Sequence, residues 1–414
     1  MRRVVLAAVV VIVAVVAASV YGGYNLLYSP QPSPSPSPSP SSSPVSSPVA
    51  SPEPSSTVSP SPSESPSATS TPTPTATASP TPPPTPTPTP TPTPIMPQNI
   101  TIVDGAGRNV TLTVPVNRIV VINDGLTEML CALGVQDKIV GRDASSNMPE
   151  SVLSIPVVAE NSYVPNVELI LELKPDVIFA DSMLPYNTVA MSQLEEAGIP
   201  LFISDPVDPE PTKHSNLTVV DFSCNLLSKL ATIVGGQDKA DEYIRFVQYY
   251  NNLVKERLAN LTQEQKPKVM LEWYAPYNTF VTPGIDQAGG INIAENQTVY
   301  APVLSPEFVV EQNPTVIIRM SSSSNHNVTD FIAERDAIMS RPELAEVDAV
   351  KNERVYICDW DIRGGISSVV GYLYWAKWCQ PALFADIDPN AVHAELYQKF
   401  FGTTVQGAFA YPHE

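Results

Sequence analysis

Asn166-Val167-Glu168-Leu169-Ile170-Leu171-Glu172-Leu173-Lys174-Pro175-Asp176-Val177-Ile178-Phe179 has a counterpart later in the chain, Ser305-Pro306-Glu307-Phe308-Val309-Val310-Glu311-Gln312-Asn313-Pro314-Thr315-Val316-Ile317-Ile318. In both, a glutamate is followed by another at the fourth position, by proline at the seventh and by an apolar run from the ninth. A short helix that begins near the first glutamate, stops before the proline and leads into a buried strand satisfies both stretches. An acid in the first turn also suits the helix dipole. The repeat predicts two lobes of similar βα construction.

The flanking sequence extends this pattern. Residues 100–103 and 110–114 alternate apolar and polar around Asp104-Gly105-Ala106-Gly107, which predicts a hairpin. Residues 118–122 and 138–141 read as buried strands on either side of a helix over 126–133 closed by Gly134. Strands alternating with helices imply parallel sheets. Between the repeats, Ala240, Tyr243, Ile244, Val247, Tyr250, Val254 and Leu258 recur at helical spacing. The helix they predict, residues 237–260, would be ~36 Å long, a strut from one lobe to the other. An earlier helix over 217–233 is set off by Gly235-Gly236. The body thus divides into a first lobe at 98–236, an inter-lobe helix at 237–262 and a second lobe at 263–414.

What precedes the body has a different composition. Arg2 and Arg3 lead an uncharged apolar run from Val4 to Val20, and residues 1–28 read as a secretion signal or a membrane anchor. A retained anchor is favoured, with a cleaved signal as the alternative. The arginines keep the amino terminus inside and send the rest out. Of the 45 prolines, 25 lie between Pro30 and Pro97, within Ser-Pro and Thr-Pro repeats. Residues 29–97 lack the apolar side chains needed to fold and are expected to form an extended stalk of ~200 Å at full stretch. Asn99, Asn109, Asn216, Asn260, Asn296 and Asn327 each head an N-x-T sequon. Together with the stalk they suggest an exported glycoprotein, of an archaeal cell surface. The net charge of −19 argues against a nucleic-acid partner, which needs a basic face.

In order and spacing, the body resembles the class III substrate-binding proteins of ABC importers for ferric siderophores, haem and cobalamin. The likeness runs through Asp104-Gly105, Arg118-Ile119-Val120, Leu133-Gly134, Lys138-Ile139-Val140-Gly141 and Asn166-Val167-Glu168. It continues through Lys174-Pro175-Asp176-Val177-Ile178, Ala197-Gly198-Ile199-Pro200 and Gly289-Gly290-Ile291-Asn292. It closes with Arg341-Pro342, Asn352-Glu353-Arg354-Val355-Tyr356 and a helix around Tyr374. The resemblance implies an α/β fold of two βα lobes with central, mainly parallel sheets, joined by one long helix, with the ligand in the cleft between them. A monomer is expected, tethered to the cytoplasmic membrane through the anchor read above. The resemblance further implies docking on an ABC permease dimer through one exposed glutamate per lobe. Those positions fall on Glu168 and Glu307.

In open parallel sheets, ligands sit beyond the carboxyl ends of the strands. That rule selects Asn123, Asp124, Arg142, Tyr163, Asp181 and Met183 from the first lobe. From the second it selects Trp273, Tyr274, Tyr277, Arg319, Trp360 and Arg363. Of these, Tyr163, Arg142, Trp273, Tyr274, Arg319, Trp360 and Arg363 are taken as ligand-binding. Asp124 and Asp181 read more simply as turn residues. Aromatic walls with a few polar groups suit a bulky metal chelate, and arginines suit an anionic one. A ferric siderophore is the leading ligand, with cobalamin or a related corrinoid next. The metal, Fe(III) or corrinoid cobalt, would arrive chelated, and no cofactor of the protein's own is expected. The histidines are scattered, and His326, in the polar stretch 321–327, reads as a solvated loop residue. No metal ligand is therefore assigned. The absence of P-loop, H-E-x-x-H and G-x-S-x-G motifs argues against an enzyme. A surface glycoprotein that reuses the fold is the competing role. Cys131, Cys224, Cys358 and Cys379 leave disulfides or buried free thiols open.

Overall fold

The computed structural model describes residues 96–205, 217–273, 275–299, 301–321 and 326–413. The expected anchor, all but the last residues of the stalk, Asn216 and Tyr274 lie outside the described residues.

The chain enters through an antiparallel hairpin, β1 (Gln98–Val103) and β2 (Asn109–Val114). Next come β3 (Ile119–Val121), α1 (Asp124–Ala132), β4 (Ile139–Asp143) and β5 (Val157–Ala159). They are followed by α2 (Val167–Glu172), β6 (Val177–Ala180), α3 (Thr188–Glu196) and β7 (Leu201–Ile203). The five strands β3–β7 form one parallel sheet in the order β5-β4-β3-β6-β7. Two long helices follow, α4 (Val219–Val234) and α5 (Gln237–Leu258). The second sheet is built from β8 (Lys268–Glu272), α6 (Gly284–Gln287), β9 (Ile291–Asn292), α7 (Pro306–Gln312) and β10 (Val316–Ser321). It is completed by α8 (Val328–Met339), α9 (Asp348–Lys351), β11 (Val355–Asp359), α10 (Ser368–Cys379), α11 (Pro389–Phe401) and β12 (Ala410–Tyr411). Its order is β12-β11-β10-β8-β9, with only the edge strand β12 antiparallel among the described strands.

The sequence repeat is a structural repeat. Asn166 caps α2 by accepting from Leu169 N, and Ser305 caps α7 by accepting from Phe308 N. Each cap satisfies an amide that the first turn leaves orphaned. Each helix gives way to a left-handed residue, Lys174 (φ 47°) or Asn313 (φ 46°), directly before the proline. The strands begin at Val177 and Val316, two residues past it.

The expected single strut is a pair of helices. The Gly235-Gly236 link, with φ of +90° and +88°, turns the chain back on itself. A Cβ on Gly236 would sit 2.5 Å from the Leu133 carbonyl oxygen, so only glycine fits the close approach. The antiparallel pairing shows in Asp221, near the start of α4, which accepts from Lys255 Nζ at 3.0 Å near the end of α5. Both helices reach both lobes. Lys138 Nζ donates to Val234 O at the end of α4, and Gln287 Nε2 donates to Leu217 O just before its start. At the end of α5, Arg257 pairs with Asp386 at 2.6 Å.

One continuous buried cluster joins Val121 and Phe179 of the first sheet, Leu227 and Tyr243 of the helical pair, Leu373 and Trp378 of α10, and Val269 and Ile318 of the second sheet. Separate clusters cover the outer faces of the two sheets. A core running unbroken between the lobes opposes wide opening, because hinge motion of any size would expose it to water. All four cysteines are buried free thiols. Burial raises them to about 12 for Cys131, Cys358 and Cys379 and about 11 for Cys224, so they serve as small core residues.

Candidate functional site

The carboxyl ends of the two sheets meet at one close approach. Gly125, in the first turn of α1, lies against Gly365, where the chain turns after β11. A Cβ on Gly365, whose φ is +59°, would come within 3.1 Å of Gly125 Cα. This contact brings the amino end of α1, after β3, beside the segment that follows β11.

On the second-lobe side, Trp273 follows β8 and Trp360 follows β11. Their indoles stack with ring centres 5.5 Å apart and planes 9° from parallel. Phe280 meets Trp273 edge-on at 5.4 Å. The Arg363 guanidinium lies over Trp360 at 4.6 Å and over Phe280 at 4.9 Å. Three of the expected residues, Trp273, Trp360 and Arg363, are thus gathered with one that sequence reading missed, Phe280. An aromatic cluster carrying a cation on its face offers a flat, partly polar wall.

The other arginines are engaged internally. Arg142 is buried and donates to the carbonyls of Val152, Asp143 and Ser146 at 3.0, 3.0 and 2.9 Å. Its role is to tie down the loop after β4, and the expectation that it meets an anion is corrected on that ground. Arg319 pairs with Glu272 at 3.3 Å and with Glu334 at 3.6 Å. Glu272, fully buried, also takes a two-pronged contact from Arg341 at 2.6 and 2.8 Å. Arg319 therefore belongs to an internal ion network. Tyr277 belongs to the same network, donating its amide to Glu272 and its hydroxyl to Glu343. Tyr163 is exposed on the first lobe, with its carbonyl accepting from Asn187 Nδ2 at 2.9 Å. Glu168 and Glu307 are exposed in the first turns of α2 and α7.

In place of arginines, acids collect where the lobes meet. Asp124 follows β3, Asp143 ends β4 and Asp181 follows β6, while Asp359 ends β11 with Asp361 two residues on. Burial pushes Asp143 and Asp181 up to about 6. Asp361 is pushed up to about 7 by burial and then by the charges of Asp359 and Asp124. Glu128, which accepts from Tyr397 Oη at 2.9 Å, is held well above the carboxylate range by burial and by Asp361. The strand-end rule pointed to this edge, but the two aspartates flanking Trp360 were passed over. So was His326, whose side chain is 10% exposed and stacks on Phe409 at 4.2 Å. The expectation of a solvated loop histidine is corrected.

Nearby, His393 is buried, with Nε2 3.1 Å from Ser367 Oγ and its ring edge-on to Tyr397 and Phe409. Burial, then the charge of His326, lowers it to about 3. Below about 6.5 the unfolded chain takes up a proton there that the folded chain refuses. The contribution is complete above that pH and is lost as pH falls toward 3, by about 2 kcal/mol at pH 5. Denaturant unfolding at pH 7 and pH 5 should show this loss, and His393→Gln should remove it. The raised carboxyls of Asp361 and Glu128 act in the opposite direction, so the difference between the two proteins isolates the histidine.

A family model described as periplasmic binding protein matches residues 119–361, a span that begins at β3 and ends at Asp361. The chain belongs to that family. Its fold is the class III substrate-binding type of ABC importers, and periplasmic binding proteins are extracytoplasmic binding components and not enzymes. An uncharacterized ABC transporter substrate-binding lipoprotein of Bacillus subtilis, YvrC, is 24% identical over 297 residues, covering 69% of this chain and 87% of that one. A vitamin B12-binding protein of Yersinia pestis is 29% identical over 235 residues, covering 53% of this chain and 76% of that one. Among solved structures, the TroA-like periplasmic binding protein FepB of Veillonella parvula superposes with a TM-score of 0.59 at 25% identity, covering 75% of this chain and 99% of that one. Among the described residues, no helix is long and apolar enough to cross a membrane.

Proposed function

We propose that this periplasmic binding protein delivers a bulky metal chelate to its ABC permease, and that a corrinoid suits the Trp273–Trp360 site better than an anionic ferric siderophore. The observation that carries this reading is the stacked Trp273–Trp360 pair set beside carboxylates. Indole faces favour a broad, flat, partly apolar ligand. The acids at this edge offer a multiply anionic chelate no counter-charge, and two of the three arginines that would have supplied one are engaged elsewhere. The likeness to a vitamin B12-binding protein points the same way. A ferric siderophore is the second reading, favoured by Arg363, whose cationic face is presented on the aromatic wall. A hydroxamate complex, with little negative charge, fits that reading better than a catecholate.

Extracytoplasmic tethering by residues 1–28, the extended stalk and glycosylation belong to the same proposal. The five described sequon asparagines, Asn99, Asn109, Asn260, Asn296 and Asn327, are all exposed, as attached glycans require.

Titration of intrinsic fluorescence tests the ligand class. The panel holds cobalamin, haem and ferric hydroxamate, catecholate and carboxylate siderophores, with inner-filter controls. Saturable submicromolar quenching by cobalamin is expected, and Trp360→Ala should weaken it about tenfold or more, as loss of a buried aromatic anchor does. Quenching by a siderophore alone would replace the corrinoid. Flat responses throughout would favour the surface-glycoprotein role.

A further inference from the structure

Where the lobes meet, His326 stands between two aspartates. Its Nδ1 faces Asp359 Oδ2 at 3.4 Å and its Nε2 faces Asp361 Oδ2 at 3.3 Å. One ligand atom from each of the three residues can be chosen so that all lie within 4.8 Å of one another. Asp359 is 1% exposed, and its Oδ2 and the His326 Nδ1 are both buried without a hydrogen-bond partner among the described residues. A buried carboxylate oxygen and a buried imidazole nitrogen 3.4 Å apart with no aligned hydrogen bond are costly unless they share a proton or a cation.

We propose that His326, through one ring nitrogen, and the Asp359 and Asp361 carboxylates form a binding site for a divalent first-row transition cation.

The donor set supports that class. One imidazole nitrogen with carboxylate oxygens suits zinc, cobalt, nickel or manganese, whereas magnesium and calcium prefer oxygen throughout. Bonds of about 2.0–2.2 Å place ligand atoms up to ~4.4 Å apart across an ion, so the cluster need close by only a few tenths of an ångström. Two carboxylates and a neutral imidazole balance a divalent charge. The imidazole is also held in place: its ring stacks on Phe409, its carbonyl accepts from Ala408 N at 2.8 Å, and its backbone is left-handed at φ 45°. A non-glycine residue kept in that conformation by its surroundings is a common mark of a functional position. The site goes beyond the chelate reading. It concerns an ion held by the protein's own side chains, and it stands whichever ligand the indoles take.

The competing account is that His326 is protonated and serves as a counter-ion to the aspartates. Equilibrium dialysis of the full chain, stripped with a chelator, separates the two. The probes are Co²⁺, Ni²⁺, Zn²⁺ and Mn²⁺, each in competition with Mg²⁺. One Co²⁺ retained per chain is expected, with a visible d–d band from mixed nitrogen and oxygen ligation. His326→Gln and Asp361→Asn should each weaken retention about tenfold or more, while Glu346→Gln, on the open surface, should not. Asp361 is less buried than Asp359, so its asparagine variant keeps the test independent of folding, which circular dichroism would check. No stoichiometric retention of any of the four ions, retention that neither substitution weakens, or equal retention of Mg²⁺ would overturn the site. Retention of Co²⁺ with flat responses to every chelate would remove the chelate reading and leave the site standing. The reverse pattern would remove the site alone.

Discussion

Glu272→Ala should lower the unfolding free energy by about 3–5 kcal/mol, the usual consequence of removing one partner from a buried ion network. Glu272 is fully buried at the end of β8, where it accepts from both Arg341 guanidinium nitrogens, from Arg319 and from the Tyr277 amide. Its removal strands the Arg341 guanidinium, 14% exposed, and strips Arg319, 17% exposed, of one of its two carboxylate partners, leaving Glu334 at 3.6 Å. Arg341 also lies over the Tyr277 ring at 5.1 Å, so its displacement would disturb the loop that follows Trp273. Glu272→Gln keeps the size and some hydrogen bonds but loses the charge, and should fall between wild type and alanine. Denaturant titration reads the effect directly, and the melting temperature should drop on the order of 10 °C. A loss below about 1 kcal/mol would mean that the network is as weak as an exposed surface pair.

That network also shows where sequence reading runs out. The repeat was legible because its signals are local: a capping residue, an acid in the first turn, a proline and an apolar run all fall within fourteen residues. The observed strand starts at Val177 and Val316 match it to the residue. The long helix was legible from its apolar spacing. Its antiparallel partner was read as a helix but not as part of the span, because pairing depends on Asp221 meeting Lys255, contacts that no periodicity records. The arginines failed for the same reason. Arg319, within the second-lobe strand β10, looks like an anion ligand until Glu272, 47 residues away, is placed beside it. His326 sits in a stretch of serine and asparagine, so composition makes it a surface residue. Its burial is decided by Gly407 and Phe409, near the far end of the chain, with Gly407 at φ +95° passing so close that a Cβ there would lie 2.5 Å from His326 Cβ. The strand-end rule selected the edge of each sheet where Trp273, Trp360 and Arg363 gather. It could not say which polar side chains at that edge were already partnered.

Reversing Glu168 and Glu307 together to lysine should cut uptake about tenfold or more while leaving ligand affinity unchanged. Both glutamates are exposed, and both open a short helix that precedes a central strand, one in each lobe. Glu168 shares a groove with the exposed apolar side chains Val157, Val164, Leu169 and Val189, and the exposed Val303 and Val310 lie within four residues of Glu307 in the chain. An acid beside exposed apolar side chains has the anatomy of a docking patch, where a central charge is ringed by contacts that exclude water. Steering by such charges acts on the association rate and weakens with salt, so the wild-type uptake rate should fall as ionic strength rises and the reversed protein should lose that dependence. Lysine at a helix start also opposes the dipole, at about 0.3–1 kcal/mol per site. Unfolding curves and the fluorescence titration must therefore accompany the transport assay. The double glutamine variant separates the effects, since it removes the attraction without placing a cation on the dipole. Intact binding with failed uptake in both variants would assign the pair to the permease interface. Normal uptake in the reversed protein would reduce both residues to helix-start acids, and the shared position in the repeat would then reflect local folding alone.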